Sequence, residues 1–163
     1  MNRLPPVFWT GTIESQWTDY NGHLRDAFYL LLFSFAGDEL MEQVGLGAAG
    51  REQLGHSMFT LESHVIYLRE VKVEQLVEVR GQIIAHDAKR LHLNFSLHLP
   101  GEESPLATAE QLWLNVDMSG PKATPFAPEV ATAVKLMAAS HQSLETQGSI
   151  GRRIGLPAPK PSA

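Results

Sequence analysis

The stretch LHLNFSLHL (91–99) alternates without a break: Leu91, Leu93, Phe95, Leu97 and Leu99 fall on one side of an extended chain, and His92, Asn94, Ser96 and His98 on the other. A side-chain period of two marks a half-buried β-strand, and it recurs. VKVEQLVEVRGQI keeps Val71, Val73, Val77, Val79 and Ile83 in one phase, and EQLWLNVDM does the same with Leu112, Leu114, Val116 and Met118. That phase leaves Trp113 pointing the other way, towards a ligand or a partner subunit. From Met58 to Met118 the chain thus predicts about four long antiparallel strands, with turns at HDAKR and PGEESP, where Asp, Gly and Pro favour hairpin connections. A sheet with a single apolar face needs a cover.

The cover is predicted to start at Asp26. A helix should run from there to about Val44, with Gly45 and Gly47 able to end it. Its first half, AFYLLLFSF (27–35), is apolar nearly all round, so the helix should be enclosed rather than laid on a surface. Residues 7–17 mix Val, Phe, Trp, Thr and Ile and favour a first strand. GLGAAGREQLGHS (45–57) reads as a loop or short irregular segment, and PEVATAVKLMAASHQSL (128–144) as a C-terminal helix. The Gly- and Pro-rich segment 148–163 reads as a loose tail beyond a domain over 1–147, with Arg152 and Arg153 in disorder. The fold class is α+β: one strand, one enclosed helix, then a curved antiparallel sheet around it.

Composition narrows the function. The 163 residues fit one domain with a proper core. A net charge of −5 argues against binding along a nucleic-acid backbone. The absence of cysteine excludes disulfides, thiolate metal sites and a Cys nucleophile. MNRLPPVFW has no continuous apolar stretch, and the run Ala27–Ala36 is interrupted by Ser34 and too short for a bilayer. The expectation is a cytoplasmic protein without a membrane role. There is no phosphate-binding Gly-rich loop, no G-x-S-x-G elbow and no zinc spacing, so neither metal nor cofactor is expected. His92 and His98 lie roughly 20 Å apart along an extended strand, too far to share a metal; a polar sheet surface accounts for them better.

WTDYNGHLRDAFYL (17–30) sets Asp19, Asn21, His23 and Asp26 directly before the apolar helix. Such residues either cap and turn the chain, with Asp26 a suitable N-cap, or are held there for chemistry. The segment resembles the D-x-x-G-H-x-x-x-x-x-Y pattern that opens the helix in hotdog-fold acyl-CoA thioesterases of the 4-hydroxybenzoyl-CoA thioesterase type. FTLESHVIYLREVKV (59–73) is similar to the following strand of that family, and the likeness extends to about Phe126. Within the family, these two stretches are most similar to the betainyl-CoA thioesterases of carnitine breakdown.

The resemblance implies hydrolysis of a small acyl-CoA, betainyl-CoA first, in a homodimer or dimer of dimers with its site between subunits. Asp19 matches the catalytic carboxylate, as nucleophile or as base on a water, and the backbone N–H near Asp26 matches the carbonyl-polarising position. Where the family often has Asn-Asn, this chain has Arg25-Asp26, so only a backbone role carries over there. Thioester cleavage needs a nucleophile or activated water, and positive potential at the carbonyl oxygen, which a helix N-terminus offers. His23 could orient Asp19 or protonate the leaving thiolate, and Asn21 could help hold the arrangement. Lys89 and Arg90 in the HDAKR turn, and less so Arg69, are candidates for the CoA phosphates. Trp17, Tyr20, Tyr29 and Trp113 are candidate walls for a trimethylammonium acyl group, with Glu62 as counter-charge; Glu62 and His64, two apart on one strand face, fit a structural pair as well. The alternatives are a hotdog thioesterase for another short-chain or aromatic acyl-CoA, a hydratase, and a non-catalytic acyl-CoA-binding module.

Overall fold

In the computed structural model, which describes residues 3–156 and 158, the period-two segments all form strands. The chain runs β1 (Val7–Thr12), a short 3-10 turn (Ser15–Trp17), α1 (Asp26–Gln43), α2 (Ala48–Leu54), β2 (His56–Tyr67), β3 (Leu76–His86), β4 (Arg90–His98), β5 (Ala107–Asp117), β6 (Lys122–Ala123) and α3 (Pro128–His141). The strands make one antiparallel sheet in the order β1-β3-β4-β5-β2, with β6 pairing the end of β5. No helix among the described residues is long and apolar enough to cross a membrane.

The cover expected for the inner face is α1, which packs against β1, β3, β4 and β5. Leu32, Phe33, Ala36 and Leu40 are completely buried, as are Val77, Val79, Leu93, Phe95 and Leu97 opposite. Phe33 stacks on Phe95 with ring centroids 6.3 Å apart. Each such large side chain contributes roughly 1.5–3 kcal/mol. The enclosure expected for α1 is not met in this chain: Ala27, Leu30, Ser34 and Asp38 form an exposed stripe on the side turned away from the sheet, so the helix buries one face and leaves the other in water.

Four further expectations change. Residues 48–54 are helical, not irregular: AAGREQL is rich in good helix formers, with Gly47 at the N-cap and Gly55 closing the end at φ 65. Strand β3 starts at Leu76, so Val71 and Val73 belong to the turn before it, where Glu74 takes φ 65. The phase of β5 is reversed. Leu91 pairs with Trp113 across the β4–β5 ladder, so Trp113 shares the inner face and Leu112 and Leu114 face outwards. The Trp113 ring lies over Gly37 of α1, where an added Cβ would come within 2.6 Å of it; Trp113 therefore packs in the core instead of facing a partner.

The fourth concerns the outer face. His98, Asn94 and Ser96 are buried there, not solvated, because α3 packs on β3 and residues 142–151 cross the sheet beyond it. Gln82 Nε2 donates to the His141 carbonyl (3.1 Å), Asn94 Nδ2 to the Gln147 carbonyl (2.8 Å), and the Gly151 N–H to Glu110 Oε2 (2.8 Å). Of the segment 148–163, the part up to Gly151 is thus held on the sheet, Arg152 to Leu156 are exposed, and residues 157 and 159–163 lie outside the described residues.

Candidate active site

The polar segment before α1 folds into a tight hairpin. Thr18 and Leu24 form a bridge, the Asp19 N–H donates to the His23 carbonyl (2.9 Å) and the Gly22 N–H to the Asp19 carbonyl (3.0 Å). Gly22 sits at φ 75, a backbone state that favours glycine. On its far side the hairpin is pinned to residues 71–73: the Leu24 N–H donates to the Val71 carbonyl (2.8 Å) and the Val73 N–H to the Gly22 carbonyl (2.9 Å).

Asp19 closes this turn with one oxygen. Its Oδ1 accepts from the N–H of Asn21 (2.8 Å) and of His23 (3.1 Å); Oδ2 has no hydrogen-bond partner among the described residues. The His23 N–H, then the Asn21 N–H, hold the carboxyl below its ordinary value of 3.8, so Asp19 is a standing anion. His23 Nε2 lies 3.3 Å from Glu70 Oε2, which links the turn to the strand end beyond β2.

Helix α1 starts one residue earlier than an Asp26 cap requires. Arg25 is the extended N-cap, without a side-chain cap bond, and Asp26 is the first helical residue. Asp26 Oδ1 accepts from the Ala27 N–H (2.9 Å) and the Phe28 N–H donates to the Arg25 carbonyl (3.0 Å), while the Asp26 N–H has no partner among the described residues. A free donor at the positive end of a helix is suited to an oxygen gaining negative charge.

Beside this donor is a pocket of about 370 Å³ between the first turn of α1 and the chain leaving β2. Leu24, Asp26 and Tyr29 line it from one side, and Tyr67, Leu68, Arg69 and Glu70 from the other. The Tyr67 hydroxyl donates to the Asp26 carbonyl (3.2 Å) and ties the two walls together.

Of the residues proposed from sequence, the fold brings Asp26, Tyr29 and Arg69 into this pocket and sets His23 against its wall residue Glu70. Asp19 and Asn21 stand in the adjoining hairpin and do not line it. Trp17 is a core residue, stacked on Phe28 and tilted against Phe35. Tyr20 is 95% exposed. Glu62 faces away: it lies five positions before Tyr67 in an unbroken stretch of β2, which puts the two on opposite sheet faces. With His64, His92, Glu110 and Arg152 it lines an outer-face pocket of about 410 Å³, so it is no counter-charge for the first pocket of the same chain. Arg90 pairs with Asp87 (Nε–Oδ2 2.7 Å), and Arg69 is held by Glu102 Oε2 and the Ser104 carbonyl, both at 2.8 Å. The Lys89 ammonium makes no ion pair among the described residues. Sequence reasoning missed Tyr67 and Glu70; the signal was there, since Tyr67 continues the inward phase of Ser63 and Val65 on β2.

A curled antiparallel sheet around one long helix, with a polar pocket and a free N–H at the helix head, defines a hotdog-fold thioester hydrolase. Residues 13–134 match the Thioesterase-like superfamily, and the chain belongs to it. It is 51% identical over 142 residues to the betainyl-CoA thioesterase of Pseudomonas aeruginosa PAO1, covering 87% of this chain and 89% of that one. It is 35% identical to the L-carnitine dehydrogenase/betainyl-CoA thioesterase of Rhizobium meliloti over 88% of this chain and 29% of that longer protein. Among solved structures, the Staphylococcus aureus protein SAV2348 in complex with CoA superposes with a TM-score of 0.86 at 26% identity, covering 94% of this chain and 98% of that one. A candidate thioesterase of Pseudomonas putida KT2440 gives 0.83 at 39% identity with the same coverage.

Proposed function

We propose that this enzyme hydrolyses betainyl-CoA to betaine and CoA, as a cytoplasmic step of carnitine breakdown. The observation that carries the reading is the pocket at the head of α1, where an unpartnered Asp26 N–H meets space for an acyl group. The likeness to the Pseudomonas aeruginosa enzyme supports the substrate, and the Rhizobium protein, named for both carnitine dehydrogenase and betainyl-CoA thioesterase, supports the pathway. In this reading the Asp26 N–H polarises the thioester carbonyl. Asp19 supplies the free oxygen Oδ2, either to take a proton from the water that attacks the carbonyl carbon or to attack that carbon itself and form a mixed anhydride that water then cleaves. In both cases the C–S bond breaks, the thiolate leaves as CoA and the acyl group leaves as betaine. The N–H groups of Asn21 and His23 fix the carboxylate, and the His23 ring is positioned for the proton needed by the thiolate. Lys89 is the first cation assigned to the CoA phosphates, with Arg90 and Arg69 secondary because Asp87 and Glu102 already hold them.

The working unit is read as a homodimer, or a dimer of dimers. β2 is a twelve-residue edge strand that pairs, among the described residues, only with β5, and it exposes Phe59 (41%), Leu61 (50%) and Tyr67 (49%). A long apolar edge is a template for a second strand, and a second copy seated on β2 would roof the pocket that Tyr67 lines.

A panel of acyl-CoAs assayed for thiol release tests the reading. Betainyl-CoA should be cleaved with the highest kcat/KM. Preference for an aromatic or neutral short-chain ester would move the substrate, hydration of an enoyl-CoA without thiol release would end the thioesterase assignment, and binding without turnover would leave a carrier module.

A further inference from the structure

Resting on the reading of this pocket as the acyl site, we propose that it is a cation cage. Tyr67, backed by Tyr29, forms its aromatic wall, Asp26 and Glu70 supply its counter-charge, and it selects acyl groups that end in a quaternary ammonium.

A trimethylammonium group has no N–H to donate and a charge spread over its methyl groups. It is held by aromatic faces and by carboxylates that need not touch it. The pocket provides both. Tyr67, 49% exposed, offers an open ring, and the buried Tyr29 backs it edge-to-face with ring centroids 5.0 Å apart and planes at 82°. Tyr67 is locked in place by its hydroxyl on the Asp26 carbonyl. Asp26 and Glu70 line the pocket from opposite sides, and the one cationic side chain on its wall, Arg69, is occupied by Glu102 and Ser104.

The negative field is felt inside. The Tyr29 hydroxyl is pushed up by burial first, then by Tyr67 and Glu70, and the Tyr67 hydroxyl by burial, then by Asp26. Both stay neutral rings. A neutral acyl group gains nothing from the two carboxylates, whereas a cation is attracted by both. The spacing also suits the reaction: in an α-ammonium thioester the nitrogen is two bonds from the carbonyl carbon, so a caged cation brings the carbonyl beside the Asp26 N–H.

The test compares kcat/KM for betainyl-CoA with that for its neutral isostere tert-butylacetyl-CoA, in which carbon replaces nitrogen. In Asp26→Asn, Glu70→Gln and Tyr67→Leu the ratio should fall about tenfold each. A ratio unchanged from wild type in all three would overturn the cage, even if absolute rates drop. Should wild type cleave neither ester, the thioesterase reading fails, and the cage is judged on glycine betaine titrated against the protein and followed by its methyl NMR signal. Binding that weakens in Tyr67→Leu and Glu70→Gln then supports it, and no binding to wild type overturns it.

Discussion

Two polar clusters lean on the same apolar core, one at the head of α1 and one on the outer face of the sheet, and they are satisfied in opposite ways. On the outer face Gln82, Asn94, His98 and His141 are all under 5% exposed, and each sets at least one side-chain polar atom on a partner inside the chain, while Gln82 Oε1 is buried without one among the described residues. His141 Nδ1 accepts from the Ile83 N–H (3.0 Å), while His98 Nδ1 donates to the Glu102 carbonyl (3.2 Å) and its Nε2 accepts from the Ser96 hydroxyl (2.9 Å). At the head of α1 the Asp26 N–H and Asp19 Oδ2 have no partner among the described residues, and charged groups crowd a pocket. The difference separates polarity that holds a fold from polarity kept for a ligand.

The largest expected effect tests whether both clusters depend on one core. Trp113→Ala removes a ring packed on Gly37 and Phe95 and should lower stability by about 3–5 kcal/mol, read by urea unfolding. If only one cluster were coupled to the core, activity and stability would part company in this variant.

The outer face offers a sharper break. Asn94→Ala leaves the buried Gln147 carbonyl without its donor, and His141→Ala leaves the Ile83 N–H without its acceptor. Each should cost about 1–3 kcal/mol, with kcat/KM per folded molecule unchanged. A loss of turnover at full stability would place the outer face in the reaction.

Acid separates the clusters by a smaller margin. Burial holds the His141 and His98 pKa values below 6.5 in the folded state. Both are therefore neutral when folded, while the unfolded chain takes up protons below 6.5. The stability they carry is intact above pH 6.5 and drains away as pH falls towards their lowered folded values. Melting temperature should drop from pH 7.5 to 5, and drop less in His141→Gln. Asp19, held below 3.8, stays ionised across that range, so its titration should leave no acid limb in the kcat/KM profile there.

Much of this architecture is written in local periodicity. The long apolar run overstates the burial of α1, whose Leu30, Ser34 and Asp38 are exposed, but the existence of α1 is readable from it, as β3 and β4 are from a period of two. The orientation of β5 is not, since Leu112, Leu114 and Trp113 make both of its faces apolar; only the register with Leu91 and the gap at Gly37 decide it. The outer face misleads because its polar residues are buried by segments some fifty residues on, as Asn94 is by Gln147. The hairpin's role as the entry to α1 follows from WTDYNGHLRD alone. The pocket does not, because Tyr67 meets Asp26 across 41 residues, a contact no local pattern contains.

The most direct measurement is kcat/KM for betainyl-CoA in Asp19→Asn, beside its melting temperature. Asparagine keeps an oxygen for the N–H groups of Asn21 and His23, so the turn survives while the charge is lost. The expected result is a drop of about a thousandfold at an unchanged melting temperature. Turnover within a few fold of wild type would contradict the assignment of chemistry to the head of α1.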